Sequence, residues 1–163
     1  MKKAAQIRSV ETLACDAGWR NYHFVKIMTE DGIVGWSEYD EGFGAPGVTA
    51  AIERLGARVV GKNAYQHEPI YAELFAATRP AAGGVVALAL GAIENALLDV
   101  KAKALGVPCY ELLGGKIRDR IRSTGRTARP GASTIPTGSS RPLPASMASN
   151  PSATRCAKKA LRR

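Results

Sequence analysis

The stretch LGAIENALLDVKAKALGVPCYELLGG, residues 90–115, decides the fold. Leu90, Ile93, Leu97, Val100 and Ala104 recur at spacings of three and four, which places an apolar stripe on one face of a helix. The pattern extends back to Val85 and stops at Leu105, because Gly106 suits a left-handed C-terminal cap and Pro108 prevents the helix from resuming. Pro108 also suits the start of one more short helical turn, Cys109 to Leu113, closed by Gly114 and Gly115. The polar residues of the long helix, Glu94, Asn95, Asp99 and Lys101, read as structural, since nothing near them supplies the carboxylate trio of a metal site.

Working back from that helix, Pro69 predicts the first turn of another, with Ile70, Leu74 and Ala77 as its apolar face. Val48, Ile52, Leu55 and Val59 predict a third, with Gly61 as its stop. Before residue 40 the period changes. Ile7–Leu13, Phe24–Thr29 and Ile33–Tyr39 read as strands, and the last two flank Glu30-Asp31-Gly32, a hairpin signal in which Gly32 can take positive φ. Three strands followed by three or four helices, rather than alternating with them, predict an α+β fold: an antiparallel sheet followed by a helical bundle.

Charge divides the chain. Residues 1–121 hold 14 Lys/Arg and 14 Asp/Glu, whereas residues 122–163 hold nine Lys/Arg and no acid, so the net charge of +9 belongs to the last 42 residues. That segment carries five Pro and twelve Ser/Thr, and its large aliphatics besides Met147 are Ile135, Leu143 and Leu161. It cannot bury enough apolar surface to offset ordering entropy, and disorder is expected. Its cations could contact phosphates, but it has no aromatic residue for base stacking, so nucleic acid is a poor expectation. Cys15, Cys109 and Cys156 are too dispersed for a zinc site and read as free thiols of a reducing cytoplasm. No secretory leader or membrane-spanning run is evident.

Gly42-Phe43-Gly44-Ala45-Pro46-Gly47 spells a dinucleotide-binding pattern, with Glu68 21 residues beyond Gly47. The preceding strand belongs to a hairpin rather than a parallel βαβ unit, and Asp40 and Glu41 would repel a pyrophosphate. A functional surface loop is the better reading.

The run Ala92–Gly115, with its Lys-x-x-Gly-x-Pro helix end at Lys103–Pro108 and its Tyr-x-Leu-Leu-Gly-Gly turn at 110–115, strongly resembles the mandelate racemase/muconate lactonizing enzyme family of the enolase superfamily. The hairpin segment Asp31–Glu38 is similar to that family's N-terminal sheet. The resemblance covers residues 1–121 and implies an enolase-type N-terminal capping domain, with the catalytic barrel absent from this chain. It implies that an intact relative is a Mg²⁺-dependent lyase or isomerase, acid-sugar dehydratases among them. Such an enzyme abstracts a proton α to a carboxylate of a small-molecule substrate, and a homo-oligomer is expected. No catalytic residue, metal ligand or cofactor of its own is expected here, because in the family those residues sit at the ends of barrel strands. By the same resemblance the loops at 14–22 and 40–46 cap the barrel mouth, and Trp19, Arg20, Tyr22, Glu41 and Phe43 are the candidates for shaping specificity and excluding water.

Two readings of the whole follow: a truncated, inactive family member, or a stand-alone binding module whose basic tail contacts nucleic acid or an acidic partner. The first also explains the tail. Read one frame over, the codons of residues 123–136 permit a sequence opening Val-Tyr, which resembles the family's first barrel strand, so a single-base frame change after Ile121 is expected.

Overall fold

The computed structural model describes residues 5–17, 20–42 and 45–121. The sequence-predicted tail 122–163, including Cys156 and the frame change, lies outside them, as do Trp19 and Phe43. Strands β1 (Ile7–Asp16), β2 (Asn21–Thr29) and β3 (Val34–Tyr39) form an antiparallel meander in the order β1-β2-β3. Helices α1 (Val48–Gly56), α2 (His67–Thr78) and α3 (Gly84–Leu105) follow, then a short turn, α4 (Cys109–Leu112). The predicted α+β architecture is the one observed.

Strand alternation explains the core. Val10 and Thr12 of β1, Val25, Ile27 and Thr29 of β2, and Gly35 and Tyr39 of β3 share the face turned toward the helices. Val25, Ile27, Ile52, Val59, Leu74, Ile93, Leu97 and Val100 are sealed from solvent in one cluster beneath α1, α2 and α3. The opposite sheet face carries Leu13, Phe24, Met28 and Trp36, which are exposed or half-buried. Thr29 is the buried polar residue of the core. Its hydroxyl lies 2.5 Å from Asp31 Oδ1 and accepts from Ile33 N at 3.0 Å, which closes the β2–β3 turn from within. Gly32 takes φ +85° there, the conformation the hairpin requires.

The long helix lies closest to β3. A side chain at Gly35 would meet the Ala96 carbonyl oxygen at 2.2 Å, so only glycine permits this approach of strand to helix. Because β3 is the sheet edge, its outward backbone groups need partners from elsewhere. Asp99 Oδ2 accepts from Trp36 N at 2.8 Å, and Lys103 Nζ donates to Val34 O at 2.8 Å while pairing with Asp99 at 2.5 Å. Asp99 is therefore structural, as its position in the sequence suggests. Gly106 at φ +71° ends α3 with paired bonds from Val107 N to Ala102 O and from Gly106 N to Lys103 O, a Schellman cap. Gly114 and Gly115 close α4 in the same way onto Glu111 and Tyr110.

Several boundaries differ, and β2 begins at Asn21, three residues before Phe24. β1 continues past Leu13 to Asp16, because pairing with β2 runs on through Cys15↔Tyr22 and Asp16↔Asn21. α1 ends at Gly56 rather than near Gly61, and successive turns carry the chain on while Val59 stays buried. α2 begins at His67, two residues before Pro69, which occupies the first turn.

Candidate functional site

Both sequence-predicted capping loops leave the same end of the sheet. β1 ends at Asp16 and β2 begins at Asn21, so 17–20 is a short connection, with Ala17 N donating to Arg20 O at 3.0 Å. β3 ends at Tyr39, which pairs with His23 of β2, and the 40–47 loop begins beside that connection. Of the segment 14–22, Ala14–Asp16 and Asn21–Tyr22 belong to strands, so Tyr22 is a strand residue rather than a loop residue.

Each loop is tied down by a charged side chain, on opposite faces of the sheet. On the open face, Arg20 Nη2 pairs with Glu38 Oε1 at 2.8 Å and its guanidinium lies 4.0 Å from the centre of the Tyr22 ring. Cation–π stacking and a charged hydrogen bond together fix the end of the turn. Trp19, its neighbour, lies outside the described residues.

On the helix face, Glu41 reaches forward to the start of α1. Its Oε1 accepts from Gly47 N at 2.8 Å, and its Oε2 accepts from Thr49 N at 2.6 Å and from Thr49 Oγ1 at 2.8 Å. Burial would raise its pKa, but these donors, with His23 nearby, outweigh that and hold the carboxyl below its ordinary range. The Thr49 hydroxyl hydrogen is committed to Glu41, so Tyr39 Oη donates to Thr49 Oγ1 at 2.9 Å. Burial, first, and the nearby carboxylates of Glu41 and Glu53 raise the Tyr39 pKa, against the lowering effect of Thr49. The His23 ring lies 5.7 Å from that of Tyr39. Phe43 lies outside the described residues.

This geometry bears on the glycine-rich pattern. The N-terminus of α1, which a pyrophosphate would occupy in a dinucleotide site, is filled by the Glu41 carboxylate, and the strand before it is antiparallel. Among the described residues no group of three or more His, Cys, Asp or Glu could hold a metal ion. Among them, too, no helix is long and apolar enough to cross a membrane.

Sequence reasoning singled out Arg20, Tyr22 and Glu41 but not the residues packed against them, Glu38, Tyr39, His23 and Thr49. A signal existed: His23 and Tyr39 border the two loops at the ends of strands whose hairpin register was legible. Thr49 gave none, because its role depends on a side chain eight residues upstream.

A three-stranded meander covered on one face by helices, with two tied loops at one end, is an α+β domain of the enolase N-terminal capping type. The chain belongs to the family described as mandelate racemase / muconate lactonizing enzyme, N-terminal domain, whose model matches residues 3–114. It is 41% identical over 100 residues to a D-galactonate dehydratase of Xanthomonas axonopodis pv. citri, a match spanning 61% of this chain and 26% of that protein. A protein of Burkholderia xenovorans strain LB400 provisionally assigned as an L-alanine-DL-glutamate epimerase, solved with magnesium and fumarate, is 68% identical with a TM-score of 0.70. That match covers 72% of this chain and 29% of the other. A mandelate racemase/muconate lactonizing protein of Paracoccus denitrificans PD1222, solved with magnesium, is 31% identical with a TM-score of 0.64, over 69% of this chain and 31% of the other. The chain therefore spans between a quarter and a third of the length of these relatives.

Proposed function

We propose that residues 1–121 form the capping domain of a Mg²⁺-dependent lyase or isomerase that abstracts a proton α to a carboxylate, and that the domain is inactive without a barrel. The observation that carries this reading is the emergence of both candidate loops from one end of the sheet, each tied by a charged residue. Arg20, Tyr22 and Glu41 set the base of the cap, and Trp19 and Phe43 are the residues proposed to face substrate. Magnesium in two relatives, one of them also bound to fumarate, supports the metal and the carboxylate class. The ion would stabilise the negative charge of the enediolate. This chain's share is to shape the mouth and exclude water. The dehydratase and epimerase relatives support lyase or isomerase chemistry on an acid-sugar or amino-acid-like carboxylate. The basic segment 122–163 is proposed to be the product of a frame change that replaces the barrel's first strand.

The test joins residues 1–121 to the barrel of the Burkholderia relative and follows exchange of the substrate α-proton for deuterium with Mg²⁺. We expect exchange in the chimera, none in either half alone, and a loss of at least tenfold in kcat/KM for Trp19→Ala or Phe43→Ala, the size expected of a residue that closes a site. A folded chimera in which neither substitution changes kcat/KM refutes the capping role.

A further inference from the structure

The loop between β3 and α1 is built around one carboxylate. α1 lacks the usual means of satisfying its first N–H groups: its N-cap is Gly47 at φ +100°, which has no side chain, and its first turn holds no acid. Glu41 fills that gap from six residues upstream, and in doing so closes residues 41–47 into a ring. Beside the ring, Gly42 N donates to Asp40 Oδ1 at 3.1 Å, and within it Ala45 is buried in the core. The loop is thus anchored at Gly42, Ala45 and Gly47. Behind the carboxylate, the relay from Tyr39 Oη through Thr49 Oγ1 ties the ring to the last residue of β3.

From this we infer that Glu41 is a positioning residue, not a substrate contact: its two oxygens are spent on the Gly47 and Thr49 donors, and its work is to tie the β3–α1 loop to the start of α1. The inference rests on the capping reading for what the loop does, but not for the clasp itself. It narrows specificity in this loop to side chains other than Glu41. It also ties the loop's anchoring to an ionised carboxylate, because a neutral carboxyl or amide cannot accept all three hydrogen bonds while presenting a donor of its own.

The experiment is residue-resolved amide hydrogen exchange on the 163-residue chain, comparing wild type with Glu41→Gln. Exchange at Gly42, Gly47 and Thr49 is expected to quicken by roughly tenfold for each charged hydrogen bond lost, with Ile93 and Leu97 in the core unchanged. Equal acceleration at the core amides would make Glu41 a general stabiliser and overturn the inference, as would unaltered loop amides. Thr49→Val keeps the amide donor and removes the hydroxyl, so a smaller acceleration confined to the loop is expected even if Glu41→Gln does not fold, with Thr49→Ser restoring the wild-type rate. Thr49→Val without a local effect also overturns the clasp. No substrate is needed, so these failures tell against the clasp and leave the capping reading standing.

Discussion

Replacing Gly35 by alanine tests the closest contact in the fold. The added methyl carbon would sit 2.2 Å from Ala96 O, 2.6 Å from Val100 Cγ2 and 3.1 Å from Val100 N, against ordinary contacts of 3.4–4 Å. Two of the three obstacles are helix backbone, which no rotamer change can clear, so β3 must retreat from α3 by roughly 1 Å. That retreat stretches the bonds from Trp36 N to Asp99 and from Lys103 to Val34 O, both 2.8 Å, past useful length. Overpacking of this kind costs about 1–3 kcal/mol, and each hydrogen bond to a charged group about 1.5 kcal/mol at the low end. Asp99 and Lys103 can follow the strand in part, which places the expected loss at about 3–5 kcal/mol. A domain of this size holds a total of order 5–15 kcal/mol, so Gly35→Ala should leave it barely folded at room temperature. Urea unfolding followed by helical circular dichroism and by tryptophan fluorescence measures the loss, and Trp36 lies next to the perturbation. A variant within about 1 kcal/mol of wild type would mean that β3 and α3 are not packed at this distance, and would refute the account of the edge strand.

Gly91, in the same helix, gives the opposite expectation: a side chain there meets nothing within 4 Å, so Gly91→Ala should stabilise the chain by about 0.5–1 kcal/mol in the same urea titration. Asp99→Ala removes the partner of both Trp36 N and Lys103 and should cost about 1.5–3 kcal/mol, read as a lowered midpoint with an unchanged slope. Glu41, whose folded pKa is lowered, contributes stability that is fully present above its unfolded value near 4.5 and is lost as pH falls through the folded value. Wild type should therefore lose stability on acidification below about pH 4.5 by an increment that Glu41→Gln lacks, a difference visible in thermal melts from pH 3 to 6. Leu88, Leu105, Leu113, Ile117 and Ile121 are 45–97% exposed, a set of apolar groups that invites self-association. Leu88→Lys with Leu105→Lys should lower the sedimentation-average mass at high concentration while leaving the urea midpoint within about 0.5 kcal/mol.

How far the sequence could be read depended on whether a feature was periodic. The α3 stripe recurs at five positions over about four turns, and Gly106 with Pro108 marks its end without ambiguity, so the helix was legible to within a residue. Even there the pattern blurred: Ala104, the last residue of the predicted stripe, is half-buried, whereas Ala102 is sealed. The hairpin was legible because Gly32 is a residue type that its turn requires. The end of β1 was not, since Ala14, Cys15 and Asp16 have no strand preference of their own and are held extended by partners in β2. The site divides in the same way. Arg20, Tyr22 and Glu41 are candidates through a family resemblance that places loops, but a resemblance does not say which atoms a side chain faces. Glu41 shows the consequence. In the sequence it is an acid beside a glycine-rich loop, suited equally to substrate or solvent; in the fold, a helix whose N-cap is a glycine leaves donors that a nearby carboxylate must fill. The same event settles the dinucleotide pattern. A G-x-G-x-x-G loop binds phosphate only if its helix N-terminus is vacant, and here the residue just before the first glycine already occupies it. The local pattern and the excluded function thus have a single physical cause, one carboxylate placed where an anion would otherwise bind.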